Sequence, residues 1–315
     1  MDTRISTASS YNSVLANLMK AEVAQTQAGN QLSSTETATD LQGYGTGAET
    51  LTALQTTASQ VTGYLNNSQT MAAKLSTQDN ALNEVAGGAN SALQAITSAI
   101  ASGNATTLMT SLQDAFSSAV EGLNTTFNGE YMFGGGQVNT QPVSASSLSD
   151  LTANPISSLF HNDQRVTSTQ LDQNTSVSTG FLASNVGTPL FQALQAIEAY
   201  NQGPNGPISG QLTSVQAAFL TSQIAGLDTV QSNLNNVVAQ NGQAQNEVTS
   251  AQTDLTQRST MLQGLIGNIT NADLAKATTN LQQAQLSIQA AGQVFQALNA
   301  SSLLNTLSST PALGR

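Results

Sequence analysis

The sequence predicts a mainly α fold: a long antiparallel coiled-coil-like helical rod built from both halves of the chain, with a small β-containing domain inserted in the middle. Three observations predict it. Apolar residues recur every seven positions through one long stretch in each half of the 315 residues, the period that keeps one seam of a helix against a partner. Between these stretches the composition shifts to Thr, Val and turn formers. Charged residues make up only 8 % of the chain, against roughly a quarter in an ordinary soluble domain, and aromatics only 4 % with no Trp. Such a chain has little with which to build one large aromatic-rich core. Its length, at about 150 residues per domain, corresponds to two compact units.

In chain order, Val14, Ala21 and Ala28, with Leu18 and Leu32, give a short amphipathic helix, and Gly43, Gly45 and Gly47 break it. One strict heptad series then runs Leu51, Ala58, Leu65, Ala72, Asp79, Ala86, Leu93 and Ile100. A second, offset by three, runs Leu54, Val61, Ser68, Leu75, Leu82, Ala89 and Ile96. Together they form an a/d-type stripe on a helix of about fifty residues, roughly 75 Å long. Its many Ala and Ser positions favour close helix approach, while Gly87 and Gly88 are placed to interrupt or bend it. A further helix is expected over residues 104–121, with Leu108, Leu112, Ala115, Phe116 and Ala119 at helical spacing.

Past Asn128-Gly129, short apolar runs among turn formers read as small strands and loops, and residues 134–188 as a compact β-containing insert. Residues 190–200 read as helix, and Gly203-Pro204-Asn205-Gly206-Pro207 punctuates the return. The second rod follows Leu227, Leu234, Asn241, Val248, Leu255, Leu262 and Ile269, with Val230, Val237, Ala244, Ala251, Arg258 and Leu265 as the offset series. Asn241 and Arg258 fall on this seam. Buried there, a polar residue restricts register at a cost in stability; if the seam drifts, both reach solvent, and Asn241-Gly242 can also mark a kink. Thr270-Asn271-Ala272-Asp273 matches a helix-start capping pattern. A new helix then carries Leu274, Leu281, Ile288 and Phe295, with Ala277, Ala284, Ala291 and Leu298, before the tail frays after about residue 300. The chain thus divides into 1–44, 45–133, 134–188, 189–269 and 270–315.

The composition removes whole classes of function. Seven Lys plus Arg against eighteen Asp plus Glu leave a net charge of −11, so no basic surface exists for nucleic acid or anionic lipid. No cysteine and a single histidine, His161, exclude thiolate and multi-histidine metal sites. No window has the apolar length of a membrane span, and the first twenty residues lack the apolar run of a cleaved signal. His161 and Asp163 could be imagined as part of a nucleophile relay, but no Gly-x-Ser-x-Gly elbow accompanies them, and an exposed surface histidine is the simpler reading. Gly134-Gly135-Gly136 lacks the Gly-Lys-Ser/Thr of a phosphate loop and reads as a tight turn. The chain is expected to be no enzyme and to take no cofactor or metal.

Assembly remains. Short, weakly charged terminal helices owe most of their stability to packing. The two ends either pair within one monomer or stay partly disordered until many copies bundle; the second is the functional reading.

The arrangement resembles the bacterial flagellin superfamily, and most closely its hook-filament junction branch, the hook-associated protein three family. Thr3-Arg4-Ile5-Ser6-Thr7 followed by Tyr11, Leu15 and Leu18 looks like the start of junction proteins. Gly129-Glu130-Tyr131-Met132-Phe133-Gly134-Gly135, followed by Thr140-Gln141-Pro142, is similar to the stretch those proteins place between rod and outer domain. Asp273-Leu274-Ala275, Leu281-Gln282-Gln283-Ala284-Gln285 and Ala290-Ala291 to Leu304 resemble the terminal helix of the superfamily. Ser33 to Asp40 departs from the family, which carries a basic stretch and an Asp-Asp-Pro turn there.

The resemblance implies a structural axial subunit of the flagellum, extracellular, exported by the type III apparatus without a cleaved signal peptide. Its implied partners are copies of itself, neighbouring hook-associated protein and flagellin subunits, and a flagellar export chaperone. The terminal helices would form an inner tube, packed through Val14, Leu18, Ala21, Leu274, Leu281, Ala284, Ile288, Ala291 and Phe295. Leu281→Asp is then expected to spare monomer folding and block incorporation. A filament flagellin remains the alternative within this class, and a soluble coiled-coil adhesion or binding module the alternative outside it.

Overall fold

The computed structural model describes the backbone of residues 2–308 and the side chains of residues 9–300. The tail expected to fray after about residue 300 continues as helix to Ser308; residues 309–315 and the side chains of Thr3 to Thr7 lie outside the described residues. The fold is mainly α. Among the described residues the helices are α1 (Asp2–Ser34), α2 (Ala48–Ser102), α3 (Leu108–Leu123), α4 (Leu148–Ala153), α5 (Ala183–Gln202), α6 (Ser214–Thr270) and α7 (Leu274–Ser308). The strands are short: β1 (Thr126–Phe127) pairs antiparallel with β2 (Glu130–Tyr131), and β3 (Ser168–Gln170) with β4 (Ser176–Ser178). Two compact units result, one of residues 1–60 with 259–315, the other of residues 61–258.

In the second unit α2 and α6 run antiparallel, because contacts that rise in number along one helix fall along the other. Gln245 Nε2 donates to the Leu75 carbonyl at 3.2 Å and Gln252 Nε2, one heptad on, to the Ser68 carbonyl at 2.9 Å. Asn241 sits on the seam as the spacing suggested, fully buried. Its amide donates to the Leu75 carbonyl (3.1 Å) and Asp79 Oδ1 (3.2 Å), and its Oδ1 accepts from Gln78 Nε2 (3.1 Å). Arg258 reaches solvent instead. Neither helix breaks at its glycines: α2 continues through Gly87-Gly88 and α6 through Asn241-Gly242. Gly88 serves proximity, since a Cβ there would lie 2.5 Å from the Ala115 carbonyl oxygen of α3. Gly122 does the same from the other side, 2.7 Å from the Ala81 oxygen.

A large apolar core holds the helices of this unit together. It joins Leu82, Val85 and Ile96 of α2 to Leu112 and Phe116 of α3, Leu190 and Phe191 of α5, and Leu227 and Leu234 of α6. The scarce aromatics are concentrated in it: the Phe191 ring lies 5.0 Å from that of Phe116 and 5.2 Å from that of Phe160. The middle insert carries the β3–β4 hairpin and also packs on the helices. Its apolar residues Val143, Leu148, Leu151 and Phe160 enter the common core, it contains the short helix α4, and its last residues already belong to α5. The β3–β4 hairpin closes a smaller core, with Leu171 and Val177 over Met71, Leu75, Ala244 and Val248.

Candidate assembly surface

In the first unit α1 and α7 lie against each other. The Tyr11 ring meets Phe295 edge-on at 5.5 Å between centroids, and its hydroxyl donates to Asn299 Oδ1 at 3.1 Å. Small residues allow the close approach that heptad alanines favour. Ala21, Ala28, Ala277 and Ala284 are buried. Carrying the Tyr11–Phe295 register along the pair in seven-residue steps puts Leu18 at the level of Ile288 and Gln25 at that of Leu281.

The nine residues assigned to packing by the sequence divide accordingly. Ala21 and Ala284 are buried; Val14, Leu18, Leu281, Ile288 and Ala291 are half-buried. Leu274 and Phe295 stay exposed, at 44 % and 43 %. The terminal helices therefore pair within one chain, which uses part of the surface that the sequence reading assigned to neighbouring copies. Along one side of the pair runs an open groove of about 760 Å³, floored by Val14, Ala21, Ala28, Ala284 and Ala291 and edged by Asn17, Lys20, Gln283 and Ser287.

Another apolar surface was missed by the heptad reading. Leu15, Met19 and Val23 recur every four residues on α1 and are 48 %, 59 % and 58 % exposed. On α7, Leu286 is 65 % and Val294 46 % exposed. A single exposed Leu is ordinary, whereas an apolar stripe on a helix with no partner on that face marks a binding surface. The four-residue spacing was readable; which face the intrachain pair would consume was not.

Features in the second unit that suggested chemistry have structural roles. His161 is exposed. The Asp163 carboxylate accepts from the backbone N–H groups of Gly136 and Arg165, each at 2.8 Å. These bonds hold its carboxyl below the usual carboxylate range. Gly135 has φ +67° and faces the same carboxylate so closely that any Cβ would collide with it. The Gly134-Gly135-Gly136 turn is thus a backbone cradle for Asp163, which ties the β1–β2 hairpin to the loop carrying His161. Among the described residues no group of three or more His, Cys, Asp or Glu could hold a metal ion. No helix among them is long and apolar enough to cross a membrane.

Against this geometry, comparison with known proteins gives a consistent class. Residues 224–307 match the family model of the bacterial flagellin C-terminal helical region, a segment that takes in most of α6 and all but the last residue of α7. The fold is similar to that of a flagellar hook-associated protein from Vibrio parahaemolyticus, with a TM-score of 0.57, 14 % identity, and 71 % of this chain and 97 % of that chain covered. It is also similar to FlgL of Bacillus cereus, with a TM-score of 0.51, 15 % identity, and 68 % and 99 % covered. No curated protein matches in sequence. The chain is flagellin-like in its carboxyl-terminal sequence and shares its fold with flagellar proteins.

Proposed function

We propose that the chain is a structural axial subunit of the bacterial flagellum that joins hook to filament by helical self-assembly of its terminal coiled-coil regions. The observation that carries this reading is the pair α1 and α7. Lying partly in the segment that matches the flagellin model, it exposes an apolar stripe on each helix and a groove between them. In this reading segments 1–44 and 270–315 line the inner tube, 45–133 and 189–269 form the rod layer, and 134–188 faces outward. Leu274 and Phe295, with the outward Leu15, Met19, Val23 and Leu286, meet neighbouring subunits. Val14, Leu18, Ala21, Leu281, Ala284, Ile288 and Ala291 build the pair that presents them.

The partners are copies of the chain, hook-associated protein and flagellin subunits, and an export chaperone that covers α7 before secretion without a cleaved signal. The likeness to the hook-associated protein and FlgL folds supports the junction role.

The flagellin match of residues 224–307 favours a second reading, filament flagellin. The two differ in abundance. Quantitative mass spectrometry of sheared flagella is expected to find this chain at a small fraction of the major filament subunit. Equal or dominant abundance establishes flagellin, and absence from flagella supports a free coiled-coil module, for which pairing of the two ends within one chain would suffice.

A further inference from the structure

The segments that lead from α1 to α2 and from α6 to α7 are far apart in sequence yet bonded to each other. Glu36 and Asn271 form an isolated antiparallel bridge. Thr37 N–H donates to the Thr270 carbonyl at 2.7 Å, and Ala272 N–H donates to the Thr35 carbonyl at 2.9 Å. The Thr37 hydroxyl adds a third bond, to the Asn271 carbonyl at 3.1 Å, across a separation of 234 residues. Each side is also fixed locally, by Gln31 Nε2 on the Thr37 carbonyl (3.0 Å) and by Asp273 Oδ1 accepting from Lys276 N–H at the start of α7 (3.0 Å). Between them Thr35 has φ +61°, a left-handed conformation that a β-branched residue adopts only where its surroundings hold it.

The alanine seam of the helix pair is tightest toward this point. Ala28 and Ala277 are 2 % and 1 % exposed; Ala21 and Ala284, a heptad further from the linkers, are 7 % and 4 %. Helices in proteins owe most of their stability to packing of an amphipathic face rather than to propensity, so what brings the two together matters as much as their seam.

From these observations we infer that the two linkers form a clip that stays closed when α1 and α7 are apart. The helices zip outward from it, and both terminal segments are delivered to their partners from one point. Holding the end of α1 beside the start of α7 raises the effective concentration of one helix for the other. The clip is a property of the single chain and does not rest on the flagellar reading.

Residue-resolved amide hydrogen exchange on the full-length monomer tests it. Ala284→Asp places a carboxylate at a buried seam position and opens the pair. Amides of α1 and α7 are expected to exchange at least about tenfold faster, while Thr37 and Ala272 keep wild-type protection. Acceleration of Thr37 and Ala272 in step with the helices overturns the clip. Conversely, Ala272→Pro removes the N–H that binds the Thr35 carbonyl. It is expected to speed exchange in both α1 and α7 about fivefold, the population change that one net hydrogen bond sustains. Unchanged exchange in α1 overturns the inference, whatever Ala284→Asp does.

Discussion

Met19→Asp separates the two surfaces of α1. Met19 is 59 % exposed between Leu15 and Val23, which are 48 % and 58 % exposed. Fully burying such a side chain is worth about 1.5–3 kcal/mol. With roughly half of each surface still open, covering the stripe by a neighbouring subunit gains about 1 kcal/mol per residue. Replacing Met19 by Asp loses that share and adds the cost of drying a carboxylate with no partner, about 2–3 kcal/mol in all. At 1.4 kcal/mol per tenfold, the concentration needed for assembly rises by about thirtyfold to a hundredfold. Met19 is mostly exposed in the monomer already, so losing the share it has covered should change monomer stability by no more than about 1 kcal/mol. Sedimentation of polymer over a concentration series, beside circular-dichroism melting of the monomer, reads both quantities. Assembly at the wild-type concentration with an unchanged melt would refute the assignment of this face. Leu281→Asp is the poorer probe, because Leu281 is half-buried in the α1–α7 pair. Contrary to the expectation from sequence, it should weaken the monomer as well as assembly.

Three further outcomes follow from the second unit. Asn241→Ala leaves the buried Gln78 amide without its acceptor and should lower stability by about 1–3 kcal/mol in urea unfolding; an unchanged midpoint would mean water replaces the bond. Gly88→Ala drives a Cβ to 2.5 Å from the Ala115 oxygen and should cost about 1–3 kcal/mol by forcing α2 and α3 apart, seen as a lowered melting temperature. The Asp150 carboxylate accepts from the N–H groups of Ser146 and Ser147, at 2.8 and 2.9 Å, which holds its pKa below the usual range. A depressed folded-state pKa gives stability that is present above the unfolded value of about 3.9 and lost as pH falls through the folded value. Asp150→Asn should therefore flatten the acid limb of the stability profile, and an unaltered limb argues against the bonds.

The long helices were legible because a heptad seam repeats over many turns, and α2 and α6 keep to it. Gly87-Gly88 and Gly242 read as breaks because a lone helix gives glycine no reason to be there. Gly88 has one in the neighbouring α3 backbone, a tertiary fact with no trace in local sequence. Asn241 and Arg258 share a seam pattern yet end differently, since Asn241 finds Gln78 and the Leu75 carbonyl within reach whereas the longer Arg258 extends to water. The insert looked separable because its composition changes at Gly129. Its apolar residues are too few for a core of their own, so Val143, Leu151 and Phe160 join the one beneath. At the terminal helices the heptads marked the face that pairs within the chain. The outward stripe of Leu15, Met19 and Val23 acquires meaning only once that pairing is known.

Position within the flagellum decides the junction role. Immunogold electron microscopy of purified hook-filament structures, with antibody against residues 134–188, should label a short band at the hook end. Label along the whole filament, or none on any flagellum, contradicts a junction subunit.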